Sequence, residues 1–403
     1  MTRKFLILLL LIFASNSLLF AEGLNGFVES NFSPRVSENP FFKNDDYVSA
    51  ESRLQLSYQH FGEIGETFFK MDFINDQVKD TTIIELREAN IKFSPFEFMD
   101  VKAGRQILTW GVGDLVFVND IFPKDWNSFF SGRGVEYLKA PNDAVKFSFF
   151  NNFANLDFVF IPTFEADRLP ETERFSYWNG QSLSNSSLTI KKPEKTFGNQ
   201  EYSFRLSKRL FNYKTSLYYY RGFWKTPKGQ TATFTGFYPE LDVYGASFRG
   251  QLLGGIFAGE FGYYNSREDK NGDNAFVENS SYRYLVNFEK EIVADLTGNI
   301  QYYSEIIKNF DENTQAKGRE EFRYLVTTRL TKRLFYETLT LSFFAFYSPS
   351  EKDFYLRPEA TYGFSDNLKL SVLGSIFGGK ESFTMFGQNE DNSNVSLRLR
   401  YSF

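Results

Sequence analysis

The sequence has no cysteine, a single histidine (His60) and no excess of basic residues over its 403 positions. Without cysteine there is no thiol nucleophile, disulfide or thiolate metal ligand, and one histidine cannot build a multi-histidine metal centre. Lys and Arg number 45 against 50 Asp and Glu, a net charge of −5. A cationic footprint for nucleic acid is therefore missing. Long apolar runs are also missing: beyond the N-terminus nothing approaches the ~18 consecutive apolar residues of a transmembrane helix. What is abundant is aromatic. There are 49 Phe, 23 Tyr and 4 Trp, 19% of the chain, within a hydrophobic content of only 42%. A large soluble α/β enzyme would instead be rich in the Val, Ile and Leu of buried parallel strands.

The N-terminus carries Arg3 and Lys4, then the apolar run from Phe5 to Phe13, then a polar-to-small region ending at Ala21. This is the pattern of a secretory signal peptide cut after Ala21, residues 1–21, leaving residues 22–403 as a single domain. The apolar run is too short to span a bilayer.

The rest alternates with period two. Leu54, Leu56 and Tyr58 oppose Arg53, Gln55 and Ser57, and Tyr282, Tyr284, Val286 and Phe288 oppose Arg283, Asn287 and Glu289. Val395, Leu397, Leu399, Tyr401 and Phe403 oppose Asn394, Ser396, Arg398 and Arg400. Such alternation marks strands with one apolar and one polar face. The segments run to about 10–14 residues, against ~5–6 in globular proteins, enough to cross a membrane at a tilt. Short connections near Gly62–Gly65, Pro95–Phe98 and Leu210–Asn212 alternate with long ones such as Trp110–Gly132 and Glu165–Asn199.

This predicts an all-β, transmembrane antiparallel β-barrel, with short periplasmic turns and long extracellular loops. Counting every alternating segment gives about nineteen, but a closed bacterial barrel needs an even number. Treating Ala140-Pro141-Asn142-Asp143 as a bulge within one strand, Arg133 to Asn151, leaves about 18, with 16 as the alternative. In lipid every backbone N–H and C=O must be paired, which strands achieve only in a closed sheet. Apolar faces then meet lipid and polar faces line a lumen. Aromatics are expected in interfacial girdles: Phe96, Phe98, Phe211, Tyr213, Phe335, Tyr336 and Phe364 at the short turns, and Phe129, Phe130, Phe164, Phe223, Trp224 and Phe377 near the outer ends.

Two resemblances bear on this reading. The C-terminal strand with Tyr401 and final Phe403 resembles the terminal strand that Gram-negative outer-membrane proteins present to the barrel-assembly machinery, an assembly signal. Leu86-Arg87-Glu88-Ala89, Gly104-Arg105-Gln106, Trp110-Gly111 and Asp114 resemble a broad, largely uncharacterised family of porin-like outer-membrane barrels. Ile161-Pro162-Thr163-Phe164, Arg168-Leu169-Pro170 and Tyr244-Gly245-Ala246 are similar to later parts of that family. The resemblance implies an outer-membrane channel or transporter, in contact with outer-membrane lipid and lipopolysaccharide, and no reaction.

Candidate chemistry is thin. His60 has no nucleophile motif beside it, Asp269, Asn271, Asp273 and Asn274 match a calcium loop only loosely, and no cofactor or metal site is expected. The informative stretch is Trp110 to Arg133. Leu115, Val116, Phe117, Ile121, Phe122 and Trp126 interleave there with Asp114, Asp120, Lys124, Asp125 and Arg133. A mobile surface loop does not normally hold so many apolar groups. An inward loop at 110–133 would bury them against the wall and set a pore constriction, with Arg105 beneath its root if Arg105 faces inward. The alternative is an outer lid.

The lumen-lining set is expected to carry both signs. Arg53, Lys70, Arg205, Arg249, Arg323, Arg357, Arg398 and Arg400 stand against Glu51, Asp72, Glu201, Glu260, Asp295, Glu321 and Glu359. The expected function is passive diffusion of small polar or anionic solutes. A transporter of hydrophobic compounds would need an apolar pocket in the lumen, and a structural or adhesive barrel a closed lumen. With an open lumen, Leu397→Arg on the lipid face should cost stability and Ser396→Arg on the polar face far less.

Overall fold

In the computed structural model, residues 23–42, 47–311 and 320–403 are described. The expected signal peptide, residues 1–21, lies outside the described residues. Period-two alternation becomes one 18-stranded sheet. Its strands are β1 (Leu24–Pro34), β2 (Tyr47–Phe61), β3 (Glu66–Asp76), β4 (Thr81–Phe96), β5 (Met99–Gln106), β6 (Asn142–Phe149), β7 (Asn155–Ile161), β8 (Glu201–Leu210) and β9 (Tyr213–Phe223). There follow β10 (Glu240–Leu252), β11 (Gly255–Ser266), β12 (Ser281–Val293), β13 (Leu296–Ile307), β14 (Phe322–Leu334), β15 (Leu339–Ser348), β16 (Asp353–Gly363), β17 (Leu368–Gly379) and β18 (Asn394–Ser402). Each pairs antiparallel with the next, and β1 closes the ring on β18 with Phe27 opposite Ser402 and Phe32 opposite Leu397. Beyond the last strand, Gly26 N–H donates to Phe403 O and Phe403 N–H to Gly26 O, both at 2.9 Å. Closure leaves the ladder no free edge, the condition for strands to sit in lipid.

Register sorts the side chains. Leu217, Tyr284, Val286, Ile300, Phe343, Val372, Leu397 and Leu399 lie exposed on the outer face. Their chain neighbours Ser216, Leu285, Asn287, Gln301, Phe344, Ser371 and Ser396 are buried on the inner face. The aromatics Phe96, Phe98, Phe211, Phe335, Tyr336 and Phe364 are exposed at the short turns, as girdle residues would be.

Two expectations need correction. Arg133 to Asn151 is not one bulged strand: β6 starts at Asn142, and Val135–Leu138 is a 3-10 turn. The strand number is 18 because Arg133–Pro141 is not wall at all. Nor do Phe129, Phe130, Phe164, Phe223, Trp224 and Phe377 form an outer girdle, since all six are buried. Phe129, Phe130 and Phe377 join one apolar cluster with Val118, Leu285, Tyr303, Phe346 and Tyr355. Alternation places a side chain on one face or the other. It does not report that a folded-in segment supplies the inner face with apolar partners.

Candidate functional site

The wall is uneven. β5, β6 and β7 have 8, 8 and 7 residues, whereas β12 and β14 have 13 each. β4 pairs with β3 from Thr81 to Lys92 but with β5 only from Ala89 onward. Above that level, segment 107–141 leaves the wall. A small ladder replaces the missing strand ends. Asp125 N–H donates to Leu138 O at 2.8 Å, Ala140 N–H to Pro123 O at 3.1 Å, Arg168 N–H to Lys124 O at 2.8 Å and Asp167 N–H to Lys225 O at 2.8 Å. Arg87 on β4 donates to Lys139 O at 3.0 Å, tying this shelf to the wall. Arg87 reaches it because a bulge opposite Lys70 and Met71 interrupts the β4 alternation.

From the shelf the segment crosses the ring. On one side Glu260 of β11 accepts Gly113 N–H at 2.7 Å and Asn119 N–H at 2.9 Å, and also takes Val112 N–H. Gln301 of β13 exchanges two 2.7 Å bonds with the Asp114 backbone, and Arg329 of β14 pairs with the Asp114 carboxylate at 2.8 Å. On the other side Arg133 grips Glu51 of β2 through both carboxylate oxygens, at 2.7 and 3.0 Å. Ser33 of β1 donates to Ser131 O at 3.2 Å, and Asn394 of β18 donates to Phe130 O at 3.3 Å. A segment held by inner-face side chains from β1, β2, β4, β11, β13, β14 and β18 lies within the ring.

Local chemistry explains the path. Asp125 caps the short helix α1 (Trp126–Phe130) by accepting Ser128 N–H at 2.7 Å. Gly111 and Gly132 have φ of +79° and +75°, and a Cβ on Gly132 would fall 1.8 Å from Ser396 Oγ. Only glycine permits both the left-handed turn and the close approach to β18.

The six expected constriction residues therefore separate. Arg105 is a correction: it faces outward, opposite Ala89 and Asp143, and pairs with Asp143 at 3.1 Å. Adjacent polar residues Arg105 and Gln106 left its face undecided, and it is Gln106 that is buried inward. Asp120, Lys124 and Asp125 are buried parts of the shelf, engaged with one another or with Arg168 and Lys139. Burial pushes the Asp120 carboxyl up, but Lys124 and Lys139 together hold it below the usual range. Arg133 is tied to Glu51. Asp114 is the acid that keeps partial exposure, and burial raises it despite Arg329.

The expected lumen residues mostly lie on the inner face, paired. Arg53 bridges Asp72 and Glu51 and covers the Tyr137 ring at 4.1 Å. Lys70 pairs with Glu88 at 3.1 Å, Arg205 with Asp157 at 2.5 Å, Arg398 with Glu359 at 2.9 Å and Arg400 with Glu29 at 2.6 Å. Arg357 sits over Phe129 at 4.6 Å, Arg323 pairs with Glu351 at 2.9 Å and Glu201 with Lys225 at 2.7 Å. Arg249 is exposed on the inner face. Asp295 and Glu321 are corrections: Asp295 is exposed in the turn after β12, and Glu321 is exposed just before β14. His60 is exposed and stacks on Tyr58 at 6.3 Å. Asp269 accepts N–H groups of Gly272, Asp273 and Asn274 at 2.9–3.2 Å, closing its own turn.

A family described as "Protein of unknown function (DUF1302)" matches residues 75–280. The chain belongs to the DUF1302 family. The matched span runs from the end of β3 to the start of β12, so it contains both the short sector and the crossing segment of this DUF1302 barrel. No curated protein matches it. Among solved structures it is similar in fold to OccAB4 of Acinetobacter baumannii, with a TM-score of 0.58 at 10% identity over 94% of this chain and 97% of that one. OccD3 of Pseudomonas aeruginosa gives 0.54 at 11% identity over 94% and 90%, and OccK11 of the same organism 0.54 at 9% over 94% and 95%.

Sequence reasoning missed the second long loop, residues 162–200. Arg174 there is fully buried, donating to Val48 O at 3.1 Å and pairing with Asp76 and Glu171, and Phe175 packs on Phe130 at 6.4 Å. Together with segment 107–141, β9, β11 and residues 380–393, this loop encloses a cavity of about 990 Å³. Its wall is chiefly aromatic and includes Trp126, Phe130, Tyr220, Trp224, Tyr264 and Phe346. The apolar residues Phe164, Leu169 and Phe175 were the available signal in the sequence.

Proposed function

We propose that this DUF1302 barrel is an outer-membrane porin-like channel for passive diffusion of small polar or anionic solutes, with segment 107–141 as its constriction. The observation that carries the reading is the crossing of a closed, polar-lined ring by one segment bound to strands on opposite sides. A bilayer-spanning barrel of this strand number encloses an aqueous lumen, and an inserted segment then sets the section open to solute. Pairing of most inner charges favours hydrated polar solutes over strong selection by charge, because opposed charges cancel at a distance in water.

A second reading, passage of a hydrophobic compound, is favoured by the aromatic cavity alone. Assembly through Tyr401 and Phe403 by the barrel-assembly machinery belongs to the same proposal and is supported by the paired Gly26–Phe403 hydrogen bonds at ring closure.

The test is single-channel recording in planar bilayers. Shortening the segment between Val112 and Phe130 should raise conductance severalfold while the protein stays a heat-modifiable barrel. Unchanged conductance in a folded variant, or no channel steps in either protein, overturns the reading.

A further inference from the structure

We infer that the aromatic cavity is a binding site for a neutral, ring-bearing molecule carrying a hydrogen-bond acceptor, with Trp224 Nε1 as the donor that fixes it. The inference deepens the channel reading only in what happens after binding. The binding itself stands on four observations.

The first is size and lining. A volume of about 990 Å³ with an aromatic wall is that of a ligand pocket, where apolar surface supplies affinity and a few polar groups supply orientation. The second is an unsatisfied donor. Trp224 lines the cavity, is only 4% exposed, and its Nε1 has no hydrogen-bond partner. A buried N–H without an acceptor is costly and is normally paired. The other buried indole of the wall makes the contrast: Trp126 Nε1 donates to Asp167 at 2.8 Å.

The third is charge. The cations nearest this wall are already engaged: Lys225 with Glu201 at 2.7 Å, Arg283 with Glu305 at 2.8 Å and Arg323 with Glu351 at 2.9 Å. A carboxylate entering here would have to break a pair, whereas a carbonyl, ester or hydroxyl oxygen needs one donor and finds it. The fourth is a preset surface. Trp224 and Tyr264 lie 5.5 Å apart with Arg283 over the Tyr264 ring at 3.8 Å. The rings are thus held before any ligand arrives, which lowers the ordering cost of binding.

The test is calorimetric titration of the full barrel in lipid nanodiscs, with empty nanodiscs subtracted. The probes are 2-acetylnaphthalene, 2-ethylnaphthalene and 2-naphthoate. The ketone should bind saturably and more tightly than the hydrocarbon or the anion. Trp224→Phe keeps a ring and removes the N–H, and should weaken the ketone about tenfold, the worth of one buried hydrogen bond, while leaving the hydrocarbon unchanged. Phe117→Trp adds bulk from a partly buried position and should weaken all three. Non-saturable uptake, tighter binding of naphthoate, or equal ketone affinity in wild type and a folded Trp224→Phe protein each overturns the inference. Conductance recorded without probe tests the channel reading separately. Binding without conductance keeps this site and sinks the channel, and conductance without binding does the reverse.

Discussion

The sector β5–β7 and the sector β10–β14 are the same sheet built in two ways. In β10–β14 the strands run 12–13 residues and satisfy their backbone groups against one another over their full length. In β5–β7 they stop at 7–8 residues, and the chain spends its next residues on a shelf and a crossing. The long sector resists lipid by regular pairing. The short one trades regularity for a segment whose polar groups must then be matched by inner-face partners, since an unmatched buried group costs far more than a matched one gains. Function-bearing irregularity is therefore concentrated where the wall is shortest.

Breaking the crossing should have the largest effect. Arg133→Met leaves the Glu51 carboxylate buried with half its ion pairing, and should destabilise the barrel by about 3–5 kcal/mol in reversible unfolding from lipid. Arg249→Gln, exposed on the long sector, should stay within about 0.5 kcal/mol. Equal losses would erase the distinction between the sectors.

The next effect separates the two faces of β18. Leu397→Arg puts a charge on the lipid face and should cost ~2–4 kcal/mol. Ser396→Arg, harmless in an open lumen, is not harmless here. Ser396 is 1% exposed, bonded to Ser33 at 2.6 Å and packed against Gly132. Overpacking there should cost ~1–3 kcal/mol. Free tolerance of Ser396→Arg, measured in the same unfolding assay, would mean that the segment is not seated on β18.

A smaller effect should appear in permeation. Burial holds the Asp114 carboxyl above its ordinary value, with Arg329 opposing. As pH falls, Asp114 therefore takes up its proton earlier than a free aspartate, for which the midpoint is ~3.9. The pore loses one negative charge, and cation preference should decline in that range. Asp114→Asn should start with the lower preference and lose the pH response. Reversal potentials under a salt gradient decide it; an identical response in both proteins rules out Asp114.

The smallest effect is expected at Arg105 and Asp143. This pair is on the outer face and partly exposed, so replacing both with Gln and Asn should cost less than ~1 kcal/mol. Conductance should not change, and a change would return Arg105 to the pore.

The amino-acid sequence by itself determined the barrel, its closure and its turns. Alternation is a local property: Tyr284 and Val286 point one way and Leu285 and Asn287 the other because successive residues of any strand do. Lipid accepts only a closed ladder of such strands, so an even count near 18 followed. The apolar content of residues 110–133 likewise marked a segment that does not stay in solvent.

What tertiary structure alone decided is partnership. The polar neighbours Arg105 and Gln106 gave no local reason to choose which faced inward; pairing of Gln106 with Asn142 chose. Asp120, Lys124 and Asp125 read as free charges, and became a buried shelf only when Lys139 and Arg168 arrived from elsewhere in the chain. Phe129, Phe130 and Trp224 read as a lipid girdle, and turned inward because the crossing segment and residues 162–200 gave them a dry interior. Alternation fixes the side of the sheet a residue takes. Only contacts between residues far apart in the chain fix what waits on that side.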